Sequence, residues 1–236
     1  PNVRRALPIL ANAFFGNPTG RLKLIGITGT NGKTTTTHMV EKVLNDCGRK
    51  TGIIGTLYMR ISEHAEPTLN TTPDTIQLQR YFHAMAARGA EYAVLEVSSH
   101  GLDLGRVRGS DFQTVVFTNL SHDHLDYHLN MDSYRNTKEL LFSQLGTSSR
   151  DMQKKAVLNA DDEASAYYAK RTSAQVVTYG IKQPAHIRAE DIRHASEGCS
   201  FMVRSPWGDG RFSLKVQGMY NVYNALAAIA VGLVEG

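Results

Sequence analysis

Apolar and polar positions alternate along this chain with two rhythms. Residues 21–28 (RLKLIGIT) form a short apolar run that ends in a glycine-rich turn, the signature of a strand. Residues 33–46 then space Met39, Val40, Val43 and Leu44 three and four apart, which predicts a helix stopped at Gly48. The alternation repeats: strand 51–56, helix 75–88 behind Pro73 with Ile76, Leu78, Tyr81, Phe82 and Met85 on its apolar side, then strands 92–97 and 114–118. Helix 133–145, strand 156–159, helix 161–170 and strand 175–179 follow. The strands are continuous apolar runs, as in a parallel sheet covered on both faces. Near the end the period shortens to two. Segments 187–194, 200–204 and 211–216, split by turns such as PWGDG, read as antiparallel strands before a closing helix over 221–233. The prediction is an α/β fold, a doubly wound, mostly parallel sheet of phosphate-loop NTPase type with a small antiparallel segment near the C-terminal end.

Composition narrows the function. The chain has 236 residues, enough for one large domain or two small ones, and 42% hydrophobic with 20% charged residues suits a globular protein. No apolar run is long enough to span a bilayer, so no membrane partner is expected. The formal charge is +4, but no basic stripe is visible, so no nucleic acid is expected. Cys47 and Cys199 are too few for a disulfide framework; both read as small core residues in a cytoplasmic protein. The opening stretch, PNVRRALPILANAFFG, reads as a helix leading in from something upstream, and the closing apolar helical pattern stops midway. Both ends suggest a piece of a longer chain: a lead-in over 1–20 and a domain over 21–236.

In such sheets ligands sit at the carboxyl ends of the strands, and three suggestive clusters fall there. The first is GITGTNGKTTTT, residues 26–37. Small residues that let backbone N–H groups converge, a helix behind them, a lysine and a hydroxyl make a phosphate loop. Gly29 and Gly32 supply the turn, Lys33 the charge and Thr34 the hydroxyl, with Thr30, Asn31 and Thr35 between and after. The usual first glycine of G-x-x-x-x-G-K-[ST] is missing: Ile27 occupies its place, and Gly26 stands one residue early. The second cluster, EVSSHGLDLGRVRG, opens on Glu96, a strand-end carboxylate able to hold Mg²⁺. The third, TNLSHDHLDYH, holds His122, Asp123, His124, Asp126 and His128. It invites a dinuclear zinc reading, but H-x-H-x-D-H is missed by one residue, and metal sites depend on spacing.

TGTNGKTT resembles the phosphate loop of the Mur ligases and the related folylpolyglutamate synthetases, ATP-dependent amide-forming enzymes whose loops also lack the first glycine. The resemblance runs from about Arg21 to the end and covers the family's central ATP-binding domain; the family's uridine-binding and amino-acid-selecting domains are absent. It implies ATP and two Mg²⁺, one on Thr34 and Glu96. The second would be held by His124 of T-N-L-x-x-D-H-L-D-x-H and by a carbamate formed from CO₂ on Lys138 of Y-x-x-[AT]-K. From its helical position alone, Lys138 reads as a solvated surface charge. The catalytic set implied is Lys33, Lys138 and His124. His122 and His128 read as structural or solvated, and Asp123 as a possible nucleotide contact.

NTTPD, residues 70–74, resembles the family branch that adds a third amino acid, diaminopimelate or lysine, to a nucleotide-sugar dipeptide. There Asn70, Thr71, Thr72, Ser98 and Arg106 would face the acidic dipeptide. Leu104 stands where some members have glutamine. Thr71 and Thr72 could equally cap the helix that follows. Asn221 and Asn224 match a motif that lies near the adenine, and capping of the closing helix is an equal reading. The implied reaction passes through an acyl phosphate, in a cytoplasmic, monomeric enzyme whose partners are small molecules. Another ligase of the superfamily, or a nucleotide-binding module inactive by itself, remains open.

Overall fold

In the computed structural model the described residues are 3–123, 125–145 and 153–236. One sheet of 11 strands organises them. The lead-in helix α1 (Val3–Phe14) and a 3₁₀ turn (Pro18–Gly20) precede β1 (Lys23–Thr28). Then follow α2 (Lys33–Asp46), β2 (Thr51–Ile54), β3 (Tyr58–Ile61), β4 (His64–Pro67), α3 (Thr75–Ala87), β5 (Tyr92–Glu96) and the short α4 (Ser99–Asp103). The second half runs β6 (Phe112–Phe117), α5 (Leu125–His128), α6 (Met131–Ser143), β7 (Lys155–Asn159), α7 (Ala164–Ala169), β8 (Gln175–Gly180), β9 (Ile187–Ala195), β10 (Gly198–Arg204), β11 (Gly210–Leu214) and α8 (Met219–Glu235).

The strand order is β11-β10-β9-β8-β7-β6-β1-β5-β2-β3-β4. β1 is central and parallel to both β5 and β6, so the connections leave it in opposite directions. That reversal opens a crevice at its carboxyl end. Successive side chains of β1 feed opposite faces. Leu24 packs in the layer of Leu78, Phe82, Phe142 and Tyr168 from α3, α6 and α7. Ile25 and Ile27 pack in the layer of Val40, Leu44, Leu226 and Val231 from α2 and α8. The parallel centre is therefore buried on both faces, as its unbroken apolar runs predict.

Several expectations need correction. Antiparallel pairing occurs at both margins: β3 pairs with β2 and β4, besides the expected β9-β10-β11 set. Strand 51–56 ends at Ile54, because the Glu96 carboxylate takes up the backbone N–H of Thr56. Helix 133–145 begins two residues early, at Met131, where the Asn130 side chain accepts from Ser133 N at 2.8 Å and caps it. Helix 161–170 is reduced to α7, since Asp161 and Asp162 accept from backbone N–H groups outside it. Ile76 is half exposed. Cys199 is buried as expected, but Cys47 is exposed. Among the described residues no helix is long and apolar enough to cross a membrane.

Candidate active site

The loop between β1 and α2 explains its unusual glycines. Gly26 lies inside β1, and a Cβ there would come 2.9 Å from the Phe112 ring. It is a packing glycine and no part of the cradle. Gly29 has φ of 149°, and its Cβ would lie 1.9 Å from Thr118 Oγ1. Gly32 has φ of 84°, and its Cβ would lie 2.3 Å from Asn224 Oδ1. Both positions demand glycine for backbone angle and for space. Thr118 and Asn119, just after β6, hold the loop's shape. Thr118 Oγ1 donates to Asn31 O at 2.7 Å, and Asn31 N donates to Asn119 Oδ1 at 3.0 Å. Sequence reasoning treated the TNL stretch as part of a metal motif and missed this role. A polar pair directly after a strand bordering β1 was the signal.

Lys33 opens α2 and folds over its own loop, donating to the carbonyls of Gly29 and Thr30 at 2.8 and 2.7 Å. Burial lowers its ammonium below the ordinary lysine value, opposed by the charges of Glu96 and Asp123. At the next residue, Thr34 Oγ1 donates to Glu96 Oε2 at 2.8 Å, joining two predicted metal-site residues. The Glu96 carboxylate also accepts from Thr56 N and Thr56 Oγ1, both at 3.0 Å. It is buried, and it needs Gly55: a Cβ there would lie 2.0 Å from its Oε1. Thr56 and Gly55 were missed, because nothing in the sequence marks a strand-end contact 40 residues away.

Lys138 is no surface charge. It is 1% exposed on the buried side of α6, where its Nζ donates to Gly29 O at 3.2 Å and lies 4.5 Å from the centre of the Tyr134 ring. Burial and the neighbouring Lys33 charge hold it well below the ordinary lysine value, with Asp123 opposing. The neutral amine is thereby favoured. Tyr134 also bonds the loop, its hydroxyl 3.2 Å from Thr30 Oγ1. The predicted ligand His124 lies outside the described residues. His122 is exposed, and His128 is buried, its ring 5.0 Å from that of Tyr134.

The NTTP stretch does not cap α3. Asp74 does, accepting from Ile76 N and Gln77 N. Thr72 is instead fully buried: its Oγ1 donates to Glu96 O at 2.9 Å and accepts from Ser98 N at 2.9 Å. Arg106 donates to Thr72 O at 2.7 Å. Thr72, Ser98 and Arg106 thus form one hydrogen-bonded group, and Ser98 caps α4 by accepting from Gly101 N. Thr71 accepts from Thr56 Oγ1 at 3.1 Å, while Asn70 is exposed on the neighbouring loop. Asn221 and Asn224 are not caps of α8 either. Asn221 donates back to Gln217 O, and Asn224 faces the loop, accepting from Thr36 Oγ1 at 3.3 Å. A cavity of about 580 Å³ opens beside Asn31, Gly32 and Asn224.

The oxygen donors suit a hard divalent ion. A hydroxyl and a carboxylate meet beside a loop built for phosphate, and Mg²⁺ is usually held by one or two carboxylates plus substrate phosphates. Among the described residues no group of three or more His, Cys, Asp or Glu side chains is gathered as for a dedicated metal cage.

Comparison with known proteins agrees with this geometry. Residues 27–232 match the Mur ligase middle domain. The UDP-N-acetylmuramoyl-L-alanyl-D-glutamate--2,6-diaminopimelate ligase of Bacillus velezensis is 50% identical over 234 residues, 99% of this chain and 48% of that protein. The Listeria monocytogenes serotype 4b protein of the same name is 52% identical over 228 residues, 96% and 46% of the two chains. A solved structure of a ligase of that name superposes with a TM-score of 0.89 at 31% identity, covering 100% of this chain and 48% of the other. A Mycobacterium tuberculosis folylpolyglutamate synthase, at 18% identity and a TM-score of 0.75 over 96% of this chain and 58% of that one, shares the fold alone. The chain spans about half the length of the curated relatives it matches. The chain belongs to the Mur ligase family, and residues 27–232 carry its middle domain.

Proposed function

We propose that this chain is the ATP-binding domain of an amide ligase that joins a third amino acid, 2,6-diaminopimelate in the named relatives, to UDP-N-acetylmuramoyl-L-alanyl-D-glutamate. One observation carries the reading. Glu96 meets the phosphate loop through its side chain, at Thr34, and meets Thr72 through its backbone carbonyl. A single residue therefore separates a site for a triphosphate from a cluster suited to a carboxylate-bearing acceptor. Residues 21–236 form the central domain of the longer enzyme, with 1–20 leading into it. The setting is the cytoplasm and the working form a monomer.

In this reading Gly29, Thr30, Asn31, Gly32, Lys33, Thr34 and Thr35 receive the phosphates, and Asn221 and Asn224 lie toward the base. Asn70, Thr71, Thr72, Ser98 and Arg106 hold the dipeptide. The γ-phosphoryl group passes to the D-glutamyl side-chain carboxylate, giving an acyl phosphate and ADP. The amine of the incoming amino acid attacks the acyl carbon, and inorganic phosphate leaves as the amide forms and the amine loses a proton. The protein contributes position and charge more than covalent chemistry. Lys33 places its ammonium over the loop carbonyls, where the transferred group gathers negative charge. Thr34 and Glu96 would hold one Mg²⁺, and His124 and carbamylated Lys138 a second; when bound, the ions neutralise phosphoryl charge. The neutral Lys138 amine adds to CO₂ and releases a proton, so that an anion replaces an uncharged amine beside Gly29.

Replacing Lys138 by Ala in the full-length enzyme tests this role. Turnover should fall by three orders of magnitude or thereabouts, roughly the loss of a metal ligand, and short carboxylates should restore part of it. Retained activity, or rescue by short amines in place of carboxylates, would contradict the carbamate.

A further inference from the structure

The cavity beside the phosphate loop, about 580 Å³, falls within the usual small-ligand range of roughly 300–1,000 Å³. Asn31 and Gly32 of the loop form one end. Asp161, Lys182, Tyr220 and Tyr223 belong to its other walls. Asp161 is out of place by simple charge reasoning, because a bare carboxylate beside a polyanion site would repel the ligand. It is not bare. Its oxygens accept from the backbone N–H groups of Ile181 at 2.7 Å, Lys182 at 3.0 Å and Gln183 at 2.6 Å. The Tyr223 hydroxyl donates to the same carboxylate at 2.7 Å. Gly180, before the turn, leaves it room: a Cβ there would lie 3.2 Å from Asp161 Oδ1.

Three donors come from the turn between β8 and β9, and the fourth from the first turns of α8. That helix also presents Asn224 to the phosphate loop. One carboxylate thus locks the turn that brings Lys182 to the cavity onto the helix that brings Tyr223 and Asn224. Burial raises the Asp161 carboxyl, but the hydrogen bonds from Lys182, Ile181, Tyr223 and Gln183 outweigh it and hold the group below its ordinary value. The clamp stays ionised at neutral pH.

We propose that Asp161 is a positioning residue for the nucleoside end of the nucleotide: by clamping the 181–183 turn to Tyr223 it sets the wall on which base and sugar rest. The inference rests on the reading of the loop as an ATP site. Its ligand class is a nucleoside triphosphate, with phosphates on the loop and nucleoside in the cavity. Asp161 acts through the turn and through Tyr223, while the phosphates depend on Gly29 to Thr35.

Binding of ATP and of inorganic tripolyphosphate to the full-length protein separates these contributions. Asp161→Ala should weaken ATP about tenfold, the loss of charge-assisted hydrogen bonds, and leave tripolyphosphate affinity unchanged. KM for ATP should rise with kcat held. Asp161→Asn should restore part of the loss, and Tyr223→Phe, which removes one hydroxyl, should weaken ATP alone and by less. Unchanged ATP affinity in Asp161→Ala, or parallel loss of ATP and tripolyphosphate, would overturn the inference. If Asp161→Ala does not fold, Tyr223→Phe decides alone: unchanged ATP affinity there overturns it. A wild-type protein that binds neither ligand would overturn the ATP reading itself.

Discussion

Gly32 compresses the site into one residue. Its φ of 84° lies where a β-branched residue is strained, and any Cβ would strike the Asn224 amide. Gly32→Val therefore removes the backbone cradle and displaces the side chain read as adenine-facing. ATP affinity measured by calorimetry should drop on the order of a hundredfold, from about 2–3 kcal/mol of strain and lost hydrogen bonds. Retained affinity would place the cradle elsewhere. The missing template glycine follows from the same geometry. Position 27 is a core strand residue, Ile27, buried against α2 and α8, and the chain's extra glycine, Gly26, answers to the Phe112 ring. Lys138 is the other residue whose surroundings only the structure gives. Its spacing along α6 is that of any helical lysine; only the fold reveals that the amine is buried under the phosphate loop.

At the level of elements, Glu96 at the end of β5 joins α2 through Thr34, the end of β2 through Thr56, and the segment before α3 through Thr72. Gly55 makes that junction possible. In Gly55→Ala the new methyl would force the carboxylate away from Thr34, and the Mg²⁺ concentration for half-maximal activity should rise about tenfold, as for other disturbed supports of metal ligands. An unchanged Mg²⁺ titration would show that Glu96 adjusts freely. The elements themselves were largely legible: α2 matches its periodicity, and the parallel strands stand where the apolar runs put them. The β3-β4 hairpin was not, since YMRI and HAEP are four-residue segments with mixed polarity. The start of α6 shifted for a physical reason too, because Asn130 takes its capping position. Asp74 caps α3 at its expected start, while Thr72 and Asn224, credited with capping, bond to Glu96 and Thr36. The loop 29–35, Glu96 and Lys138 were singled out by motif. Thr56, Thr118 and Asn119 were not, because their partners lie far along the chain and only sheet order brings them together.

The whole molecule is a doubly wound sheet whose central strand, β1, delivers the phosphate loop into the crevice where the connections diverge. On one side of that loop lies the Thr72-Ser98-Arg106 group; on the other, the cavity closed by Asp161 and Asn224. Glu96 links the loop and the first group, meeting the loop side at Thr34 and the group at Thr72. The chain spans about half the length of the relatives it matches, so the proposed reaction is tested on a full-length protein. The most direct test is inorganic phosphate release from that protein with ATP, Mg²⁺ and UDP-N-acetylmuramoyl-L-alanyl-D-glutamate, with 2,6-diaminopimelate or lysine added in turn. The account predicts release that requires both the dipeptide and one of these amino acids, and that stops in Gly32→Val. Release independent of the dipeptide, or absent with every amino acid, would contradict it.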